Sequence, residues 1–435
     1  VTAQSTALLT DQYEYTMLAA ALKDGTAQRR CTFEVFARKL PYGRRYGIVA
    51  GTARALDAIA RFRFTDDDLR SLSRFLDKET LRWLEEFRFR GDVTGYREGE
   101  MYFPGSPVLS VTGTFAECVI LETVVLSILN HDTAIASTAT RMVTAADGRG
   151  LMEMGSRRTH ESAAVASARA AYLAGFTATS NLEAARQYGV PSAGTSAHAF
   201  TLLHTGADGP DEAAAFRSQI AALGTATTLL VDTYDITEGV RTAVDVAGPD
   251  LGAVRIDSGD LGVLARQVRQ QLDDLGASRT KIVVSGDLDE YSIAALRSEP
   301  VDSYGVGTSL VTGSGAPTAG MVYKLTEVDG RPVAKRSSSK ETRGGSKRAV
   351  RFARDTGTVV EEVICLAAAE PPPVPMSLTA REVTVSLLRG GEPDAEAPTL
   401  EEGRQLVATG LKSLPWEGLV LSHGEPAIPT RFATE

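Results

Sequence analysis

Cysteine is scarce in this chain. There are three, Cys31, Cys118 and Cys365, far apart and in apolar surroundings. They exclude a zinc cluster built among themselves and point to three reduced core thiols. Long apolar runs are missing too: no stretch of about 18 apolar residues occurs, so no membrane span is expected. The first residues include Asp11 and Glu14 and have no basic segment ahead of an apolar core. No secretory signal is therefore expected, and with reduced thiols the cytoplasm is the expected compartment. Positive charge is not in excess. A net charge of −9 and a pI near 5.3 argue against nucleic acid or an anionic membrane as the main partner. A local basic pocket for a small anion is still allowed. Internal repeats and low-complexity domains are absent as well.

What is present is an ordinary soluble composition, 43% hydrophobic and 23% charged, in a chain of 435 residues that can bury a substantial core. Leu8 to Leu22 has helical spacing. Cys31 to Ala37 alternates like a strand, and the segments from Asp92 and from Pro107 are short strands bounded by glycine and proline. Asp66 to Phe87 reads as helix. From about Leu121 the pattern changes: helices such as Glu161–Leu173 and Leu261–Leu275 alternate with short apolar runs at Ser192–Thr195, Thr228–Val231, Ala253–Ile256, Lys281–Ser285 and Tyr304–Val306. Their spacing, roughly 25–35 residues, is that of βα units. Five or more units on one sheet imply a barrel or a doubly wound sheet. After Met321 the chain becomes β-like and basic. Lys335, Lys340, Arg343, Lys347, Arg348 and Arg351 form either a solvated loop or a mobile basic lid. A stiff proline run, residues 370–375, precedes a last helix, Leu400 to Leu414.

Each apolar run of the second region ends in polar residues: Asp232-Thr233-Tyr234-Asp235, Asp257-Ser258-Gly259-Asp260, Ser285-Gly286-Asp287, Gly307-Thr308-Ser309, and Ser196-Ala197-His198. Helix capping accounts for Asp260, Asp289 or Ser180 singly. It does not account for five successive termini, whereas an active site at the carboxyl ends of barrel strands does. Arg255, inside a buried strand, needs a partner or an anionic ligand. Asp257 and Asp260 could hold a Mg²⁺–phosphate or sugar hydroxyls. Gly305-Val306-Gly307-Thr308-Ser309 can offer backbone N–H groups to a phosphate. Arg157 and Arg158 are forks for carboxylate or phosphate. His198 stands at a strand end after a run of small residues.

Taken together these motifs resemble the nicotinate phosphoribosyltransferase family, among the type II phosphoribosyltransferases. The resemblance rests on Leu9 to Met17, Glu153 to Arg158, Gly194 to His198, Arg255 to Leu261, Gly305 to Ser309 and Gly320 to Leu325, in family order over about residues 8–350. It implies an irregular TIM-like α/β barrel at residues 121–334. It also implies a smaller β-rich α+β domain, 1–120, completed by 335–435. The implied reaction joins nicotinate to 5-phosphoribosyl-1-pyrophosphate, giving nicotinate mononucleotide and pyrophosphate with coupled ATP hydrolysis, in NAD salvage. Mg²⁺ is the implied cofactor and ATP a co-substrate. A homodimer with shared active sites is also implied, in which the Asp11–Tyr13 motif reaches the partner's site.

By the same resemblance His198 is the phosphohistidine and Arg255 faces the nicotinate carboxylate. Tyr13 stacks on the pyridine ring, with Asp11 beside it. Arg157 or Arg158 contacts the ring's surroundings or a phosphate. Thr179 and Ser180 fall in the substrate-binding segment. Ser258, Gly286, Asp287, Gly307 and Thr308 are phosphoribosyl contacts, and Asp257 holds the ribose hydroxyls or Mg²⁺. Nicotinamide-using relatives carry an aspartate in the segment that here runs Gly175 to Asn181 without an acid, which favours a carboxylate substrate. Two other readings fit parts of the pattern. One is a phosphoribosyltransferase for nicotinamide or quinolinate, the other a barrel that senses NAD-pathway ligands without converting them.

Overall fold

In the computed structural model, which describes residues 4–335, 343–394 and 398–433, the chain divides into two units. One comprises residues 1–137 with 316–435, the other 138–315. These boundaries differ from those expected at 120/121 and 334/335, and the cause is pairing. Strand Met321–Val328 lies antiparallel to Arg30–Ala37, so the chain has already rejoined its N-terminal part there. At the other boundary, the long helix Glu122–Ala146 begins within the first unit. Thr133 Oγ1 on that helix donates to the Ala50 carbonyl, and Ser137 Oγ accepts from the Ile48 N–H.

The first unit is built on an antiparallel seven-stranded sheet. Its order is Arg331–Pro332, Met321–Val328, Arg30–Ala37, Leu109–Thr114, Asp92–Gly95, Val385–Arg389 and Glu392–Pro393. The two ends of the chain thus interleave. Strand Arg30–Ala37 is buried on both faces after its first residue. Phe33 stacks on Tyr323 at 4.9 Å between ring centroids, within a large apolar core. On the other face Glu34 meets Lys347 Nζ at 3.1 Å, both buried. A second sheet has the order Leu378–Glu382, Lys347–Arg354, Val359–Leu366 and Thr430–Phe432. The basic segment is therefore no lid where it is described. Lys347 and Arg351 are buried strand residues, and Arg351 donates to Glu100 and Glu362, also buried. Lys340 lies outside the described residues. The expected helix over 66–87 is two helices, Asp66–Leu72 and Lys78–Glu85. Thr65 and Asp77 cap their N-termini.

The second unit is a curled parallel sheet in the order Thr228–Leu230, Ala253–Ile256, Lys281–Val284, Ser303–Val306, Gly150–Glu153 and Ala178–Thr179. The last strand in sequence pairs with the first, Ser303 with Gly150 and Val306 with Glu153. Ser192 extends the ring by one parallel bridge to Thr179. This is the irregular barrel. Its strands are short and apolar because helices cover them, and the linking helices have caps the sequence supplies, Asp235, Asp260 and Asp289 among them. Asp260 and Asp289 are thus caps, as the capping reading had it. Ser180 is not one, since Asn181 caps the helix Leu182–Tyr188.

Candidate functional site

Strand Ala253–Ile256 lies between Thr228–Leu230 and Lys281–Val284, all parallel. The residues just past their ends therefore emerge side by side. Asp232 is the hub of this cluster. Its side chain is 1% exposed. One carboxylate oxygen, Oδ2, accepts from the Asp257 N–H and from Ser258 Oγ, each at 2.8 Å. The other, Oδ1, is buried with no hydrogen-bond partner and lies 4.0 Å from His198 Nε2. That separation is electrostatic contact rather than a hydrogen bond. His198 opens the helix His198–Leu203, and its other ring nitrogen, Nδ1, is 3.1 Å from Thr233 Oγ1. A half-exposed imidazole is thus held between a hydroxyl and a buried carboxylate.

Arg255 sits in the strand itself. Its Nη1 donates to Thr195 Oγ1 at 2.7 Å, and its Nε is buried without a partner. This contact and the His198–Thr233 contact span the open seam of the sheet, between the Ser192 bridge and strand Thr228–Leu230. Burial depresses the Arg255 pKa, Asp257 and Asp232 oppose that, and Arg157 adds to the depression. The guanidinium stays charged all the same. Arg157 therefore shares the field of Arg255; Arg158 is not among the charges that act on it.

Asp257 accepts a hydrogen bond from Ser285 Oγ. Gly286, next in the chain, has φ +126°, which side-chain-bearing residues rarely adopt, and its Cα side faces the Asp257 carbonyl. The loop carrying Gly286 and exposed Asp287 is thus tied to the Asp257 loop. Gly307 and Thr308 lie at the start of a one-turn helix, Thr308–Val311. Gly305 has a different role from the phosphate approach read in the motif. A Cβ there would come within 2.7 Å of Met154 Sδ, so the glycine makes room for that side chain.

One other expectation changes. Thr179 is fully buried and its hydroxyl donates to Glu153, so it does not face a ligand, whereas Ser180 is exposed. Asp11 and Tyr13 belong to the first unit. Tyr13 is 45% exposed on helix Gln12–Asp24, and burial of its hydroxyl with Glu122 beside it raises the phenol pKa.

Glu212 was not legible as a site residue. It is the first residue of helix Glu212–Leu223, where an acid is favoured in any helix. Its Oε1 is buried without a partner. Burial, then the charges of Asp232 and Asp235, push its carboxyl up to about 7. Among the described residues, the buried side-chain polar atoms of the second unit without a partner are Glu212 Oε1, Asp232 Oδ1 and Arg255 Nε. All belong to this one cluster. Leaving such atoms unpaired costs roughly 1–3 kcal/mol each, which a fold tolerates where a ligand supplies the partner.

A parallel barrel with arginine, histidine and carboxylates gathered at the carboxyl ends of its strands defines an enzyme site for small anionic ligands. Comparison with known proteins makes the assignment specific. Residues 8–130 match the model of the nicotinate phosphoribosyltransferase N-terminal domain, and residues 150–359 match that of the nicotinate phosphoribosyltransferase family. The chain is 68% identical to nicotinate phosphoribosyltransferase pncB1 of Mycobacterium tuberculosis, over 98% of this chain and 94% of that one. It is 36% identical to nicotinate phosphoribosyltransferase of Bacillus subtilis, over 80% and 73%. The structure of human nicotinic acid phosphoribosyltransferase superposes with a TM-score of 0.82 at 26% identity, covering 98% of each chain. The chain belongs to the nicotinate phosphoribosyltransferase family.

Proposed function

We propose that the chain joins nicotinate to 5-phosphoribosyl-1-pyrophosphate, releasing pyrophosphate, with ATP hydrolysis coupled through a phosphate carried on His198. The observation that carries this reading is the convergence of the unpartnered Arg255, Asp232 and Glu212 atoms beside His198. Pyridine nitrogen is a free nucleophile at neutral pH. The site therefore has only to hold it against the ribose C1 and neutralise the leaving pyrophosphate. Arg255 supplies a planar charged fork for the nicotinate carboxylate, with Arg157 beside it. The segment Gly175 to Asn181 carries no acid that would repel that carboxylate, which favours nicotinate over nicotinamide.

His198 suits phosphoryl transfer because Nε2 faces the Asp232 carboxylate while Nδ1 lies beside the Thr233 hydroxyl. With its proton on Nε2, the ring leaves the Nδ1 lone pair available for attack on the ATP γ-phosphate. The bond formed is N–P, the bond broken is that to ADP, and water later takes the phosphoryl group as inorganic phosphate. Mg²⁺ fits the donor set: Asp257 offers a carboxylate oriented by Ser285, and this ion is bound by one or two carboxylates together with substrate phosphates. When bound it would supply charge neutralisation for the phosphates. Asp257 otherwise positions the ribose hydroxyls, while Ser258, Asp287 and the Gly286, Gly307 and Thr308 backbones surround the phosphoribosyl group.

The partner of this chain is a second copy. Leu9, Tyr13 and Met17 are exposed large hydrophobic side chains at intervals of four, along and just before the first helix. A dimer would cover them and bring Tyr13, with Asp11, to the pyridine ring of the other copy. The expected product from nicotinate, 5-phosphoribosyl-1-pyrophosphate and Mg²⁺ is nicotinate mononucleotide, formed faster with ATP. Turnover of nicotinamide but not of nicotinate would overturn the reading.

Glu212 gives this reaction a pH dependence. Below about 7 its carboxyl is neutral and Asp232 is the anion that His198 faces. Above that pH a second negative charge appears beside Asp232, which repels the incoming phosphate. ATP-stimulated activity should therefore decline as pH rises through 7. Glu212→Gln, neutral throughout, should keep roughly three- to tenfold more of it near pH 8.5, as about 1 kcal/mol of like-charge repulsion implies. Stability moves in the same sense. The folded chain holds this proton more tightly than the unfolded chain, so stability is lost as pH rises from 4.5 to about 7.

A further inference from the structure

Glu153 is a fully buried carboxylate at the end of strand Gly150–Glu153. Its hydrogen-bond partners are neutral. Oε1 accepts from the Gly155 N–H and Oε2 from Thr179 Oγ1. Burial raises its carboxyl pKa, and those two hydrogen bonds oppose the rise. An apolar side chain would occupy such a place at lower cost. The residue type is explained by what it holds. Thr179 Oγ1 also accepts from the Asn181 N–H at 2.9 Å, and Asn181 Nδ2 donates to Ser156 Oγ at 2.9 Å. The Ser180 N–H donates to the Glu153 carbonyl at 2.9 Å. These bonds close a ring that joins the loops following two adjacent barrel strands, Gly150–Glu153 and Ala178–Thr179.

The ring has one product, the placement of the turn Ser156–Arg158. That turn is fixed from its other side as well. A Cβ on Gly155 would lie 2.2 Å from Val311 Cγ1 and 3.1 Å from the Gly307 carbonyl oxygen, so the backbone here rests directly on the segment after strand Ser303–Val306. Arg157, on this turn, is itself exposed and is the arginine whose charge reaches Arg255. A long exposed side chain depends on its backbone for direction, and this ring ties that backbone to the loop after strand Ala178–Thr179.

We propose that Glu153 and Thr179 are positioning residues for nicotinate recognition, acting through Arg157 by locking the Ser156–Arg158 turn to the loop at Ser180–Asn181. This inference rests on the reading that the site binds nicotinate. Neither residue touches ligand. Thr179 therefore owes its place in the substrate-binding segment to a second-hand effect, and the hydroxyl, not the side chain's shape, is the operative feature.

The test is steady-state kinetics on the full chain with nicotinate, 5-phosphoribosyl-1-pyrophosphate, ATP and Mg²⁺. Thr179→Val keeps the volume and removes the hydroxyl. It should raise the KM for nicotinate about tenfold with kcat little changed, the loss expected for one buried hydrogen bond to a charged group. Thr179→Ser should restore the wild-type KM, and Glu153→Gln should resemble Thr179→Val. In an Arg157→Ala background Thr179→Val should have no further effect on KM, because the route through Arg157 is already cut. Additive effects in the double variant, or an unchanged KM in Thr179→Val, would overturn the proposal. Failure of the wild-type chain to turn over nicotinate would instead overturn the reading on which it rests. The two failures are thus distinguishable.

Discussion

Arg255→Ala is expected to raise the KM for nicotinate by roughly 30-fold or more, with a smaller change in kcat. The expected loss is about 2–5 kcal/mol, that of a desolvated charge pair deprived of one member. The geometry explains why the loss should be this large. Among the described residues Arg255 makes a single protein hydrogen bond, to Thr195, and its Nε is buried with no partner. Two carboxylates, Asp257 and Asp232, are close enough to act on its titration. Without the guanidinium an incoming carboxylate would meet those negative charges with only exposed Arg157 to offset them. Arg255→Lys should not rescue binding, since an ammonium cannot reproduce the planar fork. Initial rates against nicotinate concentration, at saturating 5-phosphoribosyl-1-pyrophosphate, measure both effects. An unchanged KM would remove Arg255 from the carboxylate role.

His198→Ala is expected to abolish the stimulation by ATP altogether and leave a slow, ATP-independent formation of nicotinate mononucleotide. The slow reaction survives because joining the ring nitrogen to the ribose needs positioning and charge neutralisation, which Arg255 and Asp257 still supply. The stimulation is lost because no other described imidazole occupies the place between Thr233 and the unpartnered Asp232 oxygen. We attribute the effect of ATP to the phosphate itself. A phosphoryl group on His198 would add about two negative charges beside the diphosphate site, ordering the loops around it by new charge-assisted hydrogen bonds. Product formation with and without ATP checks this. Full ATP-stimulated activity in the variant would exclude His198 as the phosphate carrier.

Much of the barrel could be read from the chain because its strands are short runs of β-branched and aliphatic residues ending in polar clusters. Thr228, Ala253, Lys281 and Tyr304 each mark a strand at or near the predicted start. The strands Gly150–Glu153 and Ala178–Thr179 were harder to see, being short and poor in β-branched residues. Pairing partners are invisible to local pattern, which is why Met321–Val328 was assigned to the barrel when it completes the other sheet. The alternation of Thr32 and Glu34 with apolar neighbours suggests a solvent face. That face is covered instead, and Lys347, read as a loop cation, neutralises Glu34 there. Charge type alone cannot distinguish a mobile basic segment from a strand whose cations are paired inside.

The grouping of His198, Arg255 and Asp257 in one cluster was legible where motif and terminus coincide. Direction of the side chain was not: Thr179 is in the right segment and points inward to Glu153. Asp232 was visible as a strand end, but its central place depends on Asp257 and Ser258 folding back onto it. Glu212 had no signal at all, because its importance comes from the charges that three-dimensional packing brings to it.

The most direct test of this account is to incubate the purified chain with γ-labelled ATP and Mg²⁺ and to map any protein-bound label. The account predicts acid-labile, alkali-stable phosphate on the peptide containing His198, discharged when nicotinate and 5-phosphoribosyl-1-pyrophosphate are added. ATP-stimulated synthesis of nicotinate mononucleotide with the label on another residue, or with no phosphate on the protein at any stage, would contradict it.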